Sequence, residues 1–282
     1  MAQAIQNIII VGGGTAGWLT AGILAAEHNA DNGKLSPSPK LNITLIESPD
    51  VPTIGVGEGT WPSMRTTLKN IGISETEFLL SCDASFKQGS RFINWTHAQK
   101  ASGNSTEHYL HPFSLPIGTN ELDLCPHWLA HRDQVSFADA VGQQNQLSQL
   151  SLAPKQITTG EYQFQNNYGY HLNAGKFSQL LQKHCTEKLG VTHIQDHVCT
   201  IHKSKNGDIS HLSTKQSGEL SADFFVDCTG VKSLLLGEQL NVPFICQKSV
   251  LFNDSALAVQ VPYPNNDTEI ASCTHSTAQS NG

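Results

Sequence analysis

Near the start of the chain, Gly12-Gly13-Gly14-Thr15-Ala16-Gly17 carries glycines in the G-x-G-x-x-G spacing. In that spacing the first glycine permits a tight turn, the second lets backbone approach a pyrophosphate, and the third lets a helix pack closely on a strand. A helix that begins there offers unpaired N–H groups and a partial positive charge to phosphate oxygens. Glu47 is the matching acid, placed to accept a hydrogen bond from a ribose hydroxyl. Such an acid favours a free 2′-hydroxyl, so NAD or FAD is expected rather than NADP. A second glycine-rich run, Gly55-Val56-Gly57-Glu58-Gly59-Thr60-Trp61-Pro62, adds a carboxylate and a hydroxyl. It reads as a loop that backbone or ligand must approach closely.

These residues need elements to position them. Ile8-Ile9-Ile10-Val11 is a continuous apolar, β-branched run of the kind buried on both faces of a sheet, and residues 18–28 read as the helix that follows the glycines. Residues 41–46 read as a second strand ending at Glu47. Glu47 lies further beyond Gly17 than the usual gap of about 20 residues, and the polar stretch 29–40, with Pro37 and Pro39, accounts for the excess as a surface insertion. Thr60 is expected to cap a helix with Pro62 in its first turn and Met64, Leu68 and Ile71 facing inward. Ser74-Glu75-Thr76-Glu77 is a capping box ahead of Phe78, Leu79 and Leu80.

Further on, Tyr170-His171-Leu172-Asn173 leads into an amphipathic helix (Phe177, Leu180, Leu181, Cys185, Leu189) that Gly190 can end. Asn206-Gly207 marks a hairpin turn, and residues 223–227 form a strand running into Cys228-Thr229-Gly230. The Gln- and Asn-rich segment 142–167 reads as a surface excursion, and residues 250–262 as the start of a strand.

Composition narrows the function. The 282 residues are 38% hydrophobic and 15% charged, with 17 Lys and Arg against 24 Asp and Glu, and no basic block offers a surface to a polyanion. No nucleic-acid partner is expected. Seven widely spaced cysteines include no C-x-x-C pair, which points to buried free thiols in a reducing compartment. The apolar run from Ile8 to Ala26 is interrupted by glycines and has no Lys or Arg ahead of it, so neither a signal peptide nor a membrane span is expected and the chain reads as cytoplasmic. Thirteen histidines include His127/His131 and His193/His197, but no H-E-x-x-H occurs and no metal site is expected.

Three motifs in order carry a resemblance: the Gly12–Gly17 run followed by Trp18, the Gly55–Thr60 turn, and Cys82…Ala84-Ser85…Lys87…Arg91-Phe92…Asn94-Trp95. Together they resemble the flavin-dependent tryptophan halogenase family over most of residues 5–262. The resemblance implies an α/β, FAD-binding Rossmann-like fold of the two-dinucleotide-binding-domain, p-hydroxybenzoate hydroxylase-like kind, with β-sheet and helical excursions. FAD, as FADH2, would be held by Gly12, Gly14, Thr15, Ala16, Gly17, Glu47, Gly57, Glu58, Thr60, Val198, Thr229 and Gly230.

Reduced FAD and O2 would convert halide to hypohalous acid, which a tunnel carries to a lysine beside an electron-rich aromatic substrate such as tryptophan or another indole. Lys87 matches that lysine, acting as a hydrogen-bond donor or, when deprotonated, through a haloamine. A separate flavin reductase would supply FADH2, and a homodimer is among the possible assemblies.

Family members run on beyond the point where Ser280-Asn281-Gly282 closes this sequence, into a W-x-W-x-I-P motif and a glutamate that assists the lysine. The expectation is that residues 1–282 form the FAD-binding portion of a larger halogenase-like domain, with a substrate-side excursion at about 96–168, and do not complete catalysis alone. Two alternatives remain at this stage: an FAD-dependent aromatic monooxygenase, which has no need of the Lys87 segment, and a non-catalytic flavin-binding module.

Overall fold

The computed structural model describes residues 4–29, 40–51, 57–95, 107–265 and 267–279. The first apolar run forms the strand Asn7–Val11, whose Ile8, Ile9, Ile10 and Val11 are all buried. It lies between Phe224–Asp227 and Asn42–Glu47, and Thr192–Gln195 extends the sheet past Asn42–Glu47. All three pairings are parallel. The helix Thr15–Asn29 starts earlier than the sequence suggests, because Trp18 N–H donates to Gly14 C=O at 3.1 Å and helical bonding closes over the glycine turn itself.

Two units divide the chain. Residues 1–56, 70–73 and 173–260 hold the parallel sheet, the helices Thr15–Asn29 and Ala174–Glu187, and an antiparallel sheet of Val198–Lys203, Ile209–Thr214 and Glu219–Ser221. Ala174–Glu187 is capped by the Asn173 side chain, which accepts from Lys176 N–H at 3.1 Å, and it buries Phe177, Leu180, Leu181 and Cys185 as the apolar spacing requires. Leu189 falls beyond its end. The hairpin at Asn206-Gly207 joins Val198–Lys203 to Ile209–Thr214. Ile9, Val11, Ile46, Leu212 and Leu235 form one core cluster of this unit.

The other unit, residues 57–69, 74–172 and 261–282, contains two three-stranded sheets. One orders Thr274–Thr277, Gly89–Ile93 and His108–Pro112; the other orders Gly57–Gly59, Gly169–Asn173 and Ser85–Lys87. Among the described residues, no helix is long and apolar enough to cross a membrane.

Four expectations need correction. Gly57–Gly59 is a strand rather than loop; Gly55 and Val56 lie outside the described residues, as does most of the insertion at 30–39. Thr60 does not cap the next helix, Ser63–Ile71: its N–H donates to Tyr170 C=O at 2.7 Å and its hydroxyl accepts from Tyr170 N–H at 2.9 Å, so its polar atoms are committed to the sheet. The Gln- and Asn-rich segment is not all surface. Gln144, Asn145 and Asn166 are buried, and Gln144 both accepts from Ser114 N–H and donates to Asn167 C=O. Residues 250–262 form no strand; Val250, Leu251, Phe252, Leu257, Val259 and Val261 are exposed, with no partner strand among the described residues.

The capping serine is as expected, with Ser74 Oγ accepting from Glu77 N–H at 3.3 Å ahead of the helix Glu75–Ser81. Of the apolar residues in that helix Phe78 is buried and Leu80 exposed. Glu75, which the pattern left unremarked, is the hub of this unit. Its buried carboxylate accepts from Tyr168 OH (2.5 Å), Tyr170 OH (2.7 Å), Lys155 Nζ (2.6 Å) and Tyr162 N–H (2.8 Å). Burial works to raise its pKa, but these donors outweigh it and hold the group below the ordinary glutamate value. A pKa lowered in the folded state contributes stability above the unfolded value and loses it as pH falls through the folded value. Glu75→Gln turns one acceptor oxygen into a donor facing donors and should cost about 1–3 kcal/mol. A urea midpoint equal to that of the unsubstituted chain would contradict this assignment.

Candidate functional site

The glycine turn of the first unit separates internal packing from space reserved for something else. Gly12 has φ +114°, and a Cβ there would overlap Cys228 C=O. A Cβ on Gly17 would overlap Gly12 C=O and come within 3.4 Å of Leu45 Cδ1. Both are therefore demanded by the protein's own packing. A Cβ on Gly14 would meet nothing within 4 Å among the described residues. The bare backbone at Gly14 thus forms a cradle at the helix start, where the first N–H groups have no carbonyl four residues back. This is the arrangement that a pyrophosphate needs, and the residues present fit a dinucleotide.

Beside the turn lies a cavity of about 330 Å³ whose lining includes Gly13, Trp18, Glu47, Gln179, Gln182 and Gln195. Thr15 sits at the helix start with its hydroxyl 3.2 Å from that of Ser178, while Ala16 C=O accepts from Thr20 Oγ1 at 2.7 Å. Across the sheet edge, the Asp227 carboxylate accepts from Thr229 N–H (3.0 Å), Thr229 Oγ1 (2.6 Å) and the N–H groups of Leu235 and Leu236 (2.9 Å each). Burial opposes its charge, but these donors keep its pKa below the ordinary aspartate value. They also lock the turn through Thr229 and Gly230. Val198 opens its strand packed against the core of the same unit.

Lys87 belongs to the second unit, as do Gly57, Glu58 and Thr60. It ends the strand Ser85–Lys87 directly opposite Gly169. A Cβ on Gly169 would come within 2.5 Å of Thr60 C=O, so the strands at this point are as close as bare backbone allows. Lys87 is only 6% exposed, with Nζ 5.8 Å from the Trp61 ring centroid and 5.5 Å from that of Phe113. Those distances are within cation–π range. Gly59 forms the floor: a Cβ there would lie 3.0 Å from Lys87 Nζ and 3.1 Å from Thr274 Oγ1, the hydroxyl that bonds His171 Nε2 at 3.0 Å. Glu58 points outward and is exposed.

Burial draws the pKa of Lys87 below the ordinary lysine value, opposed by Cys273. It draws that of His171 down too, helped by the Lys87 charge. No carboxylate forms an ion pair with Lys87 among the described residues. A buried ammonium with no counter-ion is a liability to stability, carried while the group is charged and relieved as pH rises through its lowered pKa towards the unfolded value. Lys87→Met keeps the stem and removes the charge, and should stabilise the fold at neutral pH by about 0.5–2 kcal/mol. A lowered melting temperature would show that the ammonium has a structural partner after all.

The description tryptophan halogenase belongs to a family model that matches residues 7–282. The chain belongs to the tryptophan halogenase family. It is 32% identical over 295 residues to tryptophan 7-halogenase RebH of Lentzea aerocolonigenes, covering 100% of this chain and 53% of that protein. To tryptophan 6-halogenase SttH of Streptomyces toxytricini it is 31% identical over 298 residues, covering 98% of this chain and 54% of that one. The crystal structure of a tryptophan halogenase from Shewanella frigidimarina superposes with a TM-score of 0.93 at 69% identity, over 98% of this chain and 52% of that chain. The chain therefore spans about half the length of the relatives it matches. Solved structures titled as flavin-dependent halogenases share the FAD-binding Rossmann-like α/β fold.

In this halogenase-family chain the residues singled out by sequence fall into two groups. Gly12, Gly14, Thr15, Ala16, Gly17, Glu47, Val198, Thr229 and Gly230 lie in the first unit, and Gly57, Glu58, Thr60 and Lys87 in the second. The ring faces of Trp61 and Phe113 and the His171–Thr274 pair were not singled out, because their sequence neighbourhoods carry no spacing rule. His193 and His197 do not act together: His193 meets Glu47 at 2.7 Å and His197 meets Asp50 at 2.9 Å. No group of three or more His, Cys, Asp or Glu among the described residues is placed to hold a metal ion.

Proposed function

We propose that this chain is the FAD-binding portion of a flavin-dependent halogenase that acts on tryptophan or a similar electron-rich aromatic, with the segment at about 96–168 on the substrate side. The observation that carries the proposal is Lys87, a buried cation over two aromatic faces with no ion-pairing carboxylate among the described residues, in a chain of this family. Bound FAD, once reduced, supplies the O2-dependent oxidation of halide to hypohalous acid. Gly14 and the helix N-terminus receive the pyrophosphate, Glu47 accepts from the adenosine ribose, and Gly57, Glu58, Thr60, Val198, Thr229 and Gly230 complete the flavin contacts.

Lys87 receives the hypohalous acid. Its N–H groups donate to the oxidant's oxygen, and its position among apolar walls keeps water from competing. In the halogenation step the O–X bond and an aromatic C–H bond break, a C–X bond forms and water leaves. The lowered pKa enlarges the free-amine fraction, which could alternatively take up halogen as a haloamine with loss of water.

The chain carries a dinucleotide fingerprint that FAD would fill, and a separate flavin reductase supplies the reducing equivalents. A cytoplasmic setting accords with seven cysteines that are all free thiols, although only Cys82, Cys185 and Cys273 are buried as expected and Cys125, Cys199 and Cys246 are exposed. The test is to mix NADH with the FAD-loaded protein, with and without added flavin reductase. Flavin bleaching should require the reductase; rapid bleaching without it, near the ~10 s⁻¹ of a typical enzyme, would refute the division of labour.

A further inference from the structure

The carboxylate of Glu47 has close neighbours on two sides. Its Oε1 lies 2.7 Å from His193 Nε2, and a carboxylate can only accept, so Nε2 carries the proton. The other ring nitrogen, Nδ1, lies 3.2 Å from Gln182 Nε2, and an amide nitrogen can only donate. The ring is thereby fixed in one tautomer, with a donor turned towards Glu47. Trp18, buried beneath, packs edge-on against the imidazole with centroids 5.0 Å apart.

On its remaining side, Glu47 rests where a side chain at residue 13 would be. A Cβ on Gly13 would overlap Oε2 and Cδ of Glu47 and come within 2.6 Å of its Cβ. The G-x-G-x-x-G spacing asks nothing of this position, so its being glycine has a local cause. Gly13 makes room for the acid, and His193 takes one of its oxygens, leaving Oε2 turned over the glycine turn on the wall of the 330 Å³ cavity.

We infer that His193 is a positioning residue for the nucleotide site: with Gln182 behind it and Gly13 opposite, it holds the Glu47 carboxylate in one orientation for the ribose diol of an adenosine moiety. This rests on the reading of Glu47 as the ribose acceptor. Without the imidazole, Glu47 is free to swing into solvent, and the ordering must then be supplied on binding.

The test is a double-mutant cycle read by FAD titration of the chain, monitored through flavin fluorescence. His193→Phe should weaken FAD five- to tenfold, while His193→Gln, whose amide can still donate to Oε1, should stay within twofold of the original. In a Glu47→Ala background, His193→Phe should have no further effect. A structural role for His193 alone would give the same loss with or without Glu47, and Gln would not rescue it. An unchanged affinity in His193→Phe, or a loss of full size in the Glu47→Ala background, overturns the positioning role while the ribose contact stands. An unchanged affinity in Glu47→Ala overturns the ribose contact, and the positioning role with it.

Discussion

Lys87→Ala should abolish halogenated product while leaving FAD affinity close to its original value. Lys87 lies in a different unit from Gly14 and Glu47, and on the proposed reading it acts on the oxidant after the flavin has done its part. Loss of a buried donor aimed at the reacting group is worth about 10²–10³-fold in rate. Flavin reoxidation by O2 should continue, so oxygen consumption and product formation come apart. Lys87→Arg should fare little better, because a planar guanidinium neither reproduces the compact ammonium donor nor forms a haloamine. The comparison is made on the polypeptide as expressed from its gene, with halide, O2 and a flavin reductase. Product at the original rate from Lys87→Ala would remove the lysine from the chemistry and leave the flavin site untouched.

Gly14→Val should reduce FAD affinity by at least about 100-fold, close to 2.8 kcal/mol at about 1.4 kcal/mol per tenfold. On the proposed reading, the added methyls enter the space that the pyrophosphate would occupy. A Cβ there meets nothing within 4 Å among the described residues, so urea unfolding without FAD should shift by no more than about 0.5 kcal/mol. Gly12→Ala behaves in the opposite way. At φ +114°, and with Cys228 C=O in the path of the new Cβ, it should destabilise the chain by about 1–3 kcal/mol whether or not FAD is added. Equal effects of the two substitutions on stability would mean that Gly14 is a packing glycine like its neighbours.

The same glycines show where sequence reading works. The strand at Asn7–Val11, the turn and the helix from Thr15 were legible because each local preference agrees with the others, and Glu47 was legible because a parallel strand must end there. Gly13 was not, since its cause is a carboxylate that arrives from a different strand. Thr60 follows the rule for a helix cap, but a neighbouring strand competes for its hydrogen bonds and wins. Gln144 and Asn145 have the composition of a surface, yet each is buried with partners that no periodicity reveals. Residues 250–262 have the side chains of a strand, and a strand also needs a neighbour to bond with. Lys87 was found only through its motif, because nothing about an isolated lysine says that it will be buried over two rings.

The central claim is that the oxidant made at this flavin is delivered as halogen. The direct measurement is mass spectrometry of the product formed from tryptophan with reduced FAD, O2 and a flavin reductase, run with chloride, with bromide and with neither. The account predicts a product that carries the halogen isotope pattern, follows the halide supplied and vanishes without it. A hydroxylated product formed equally well in the absence of halide would contradict it.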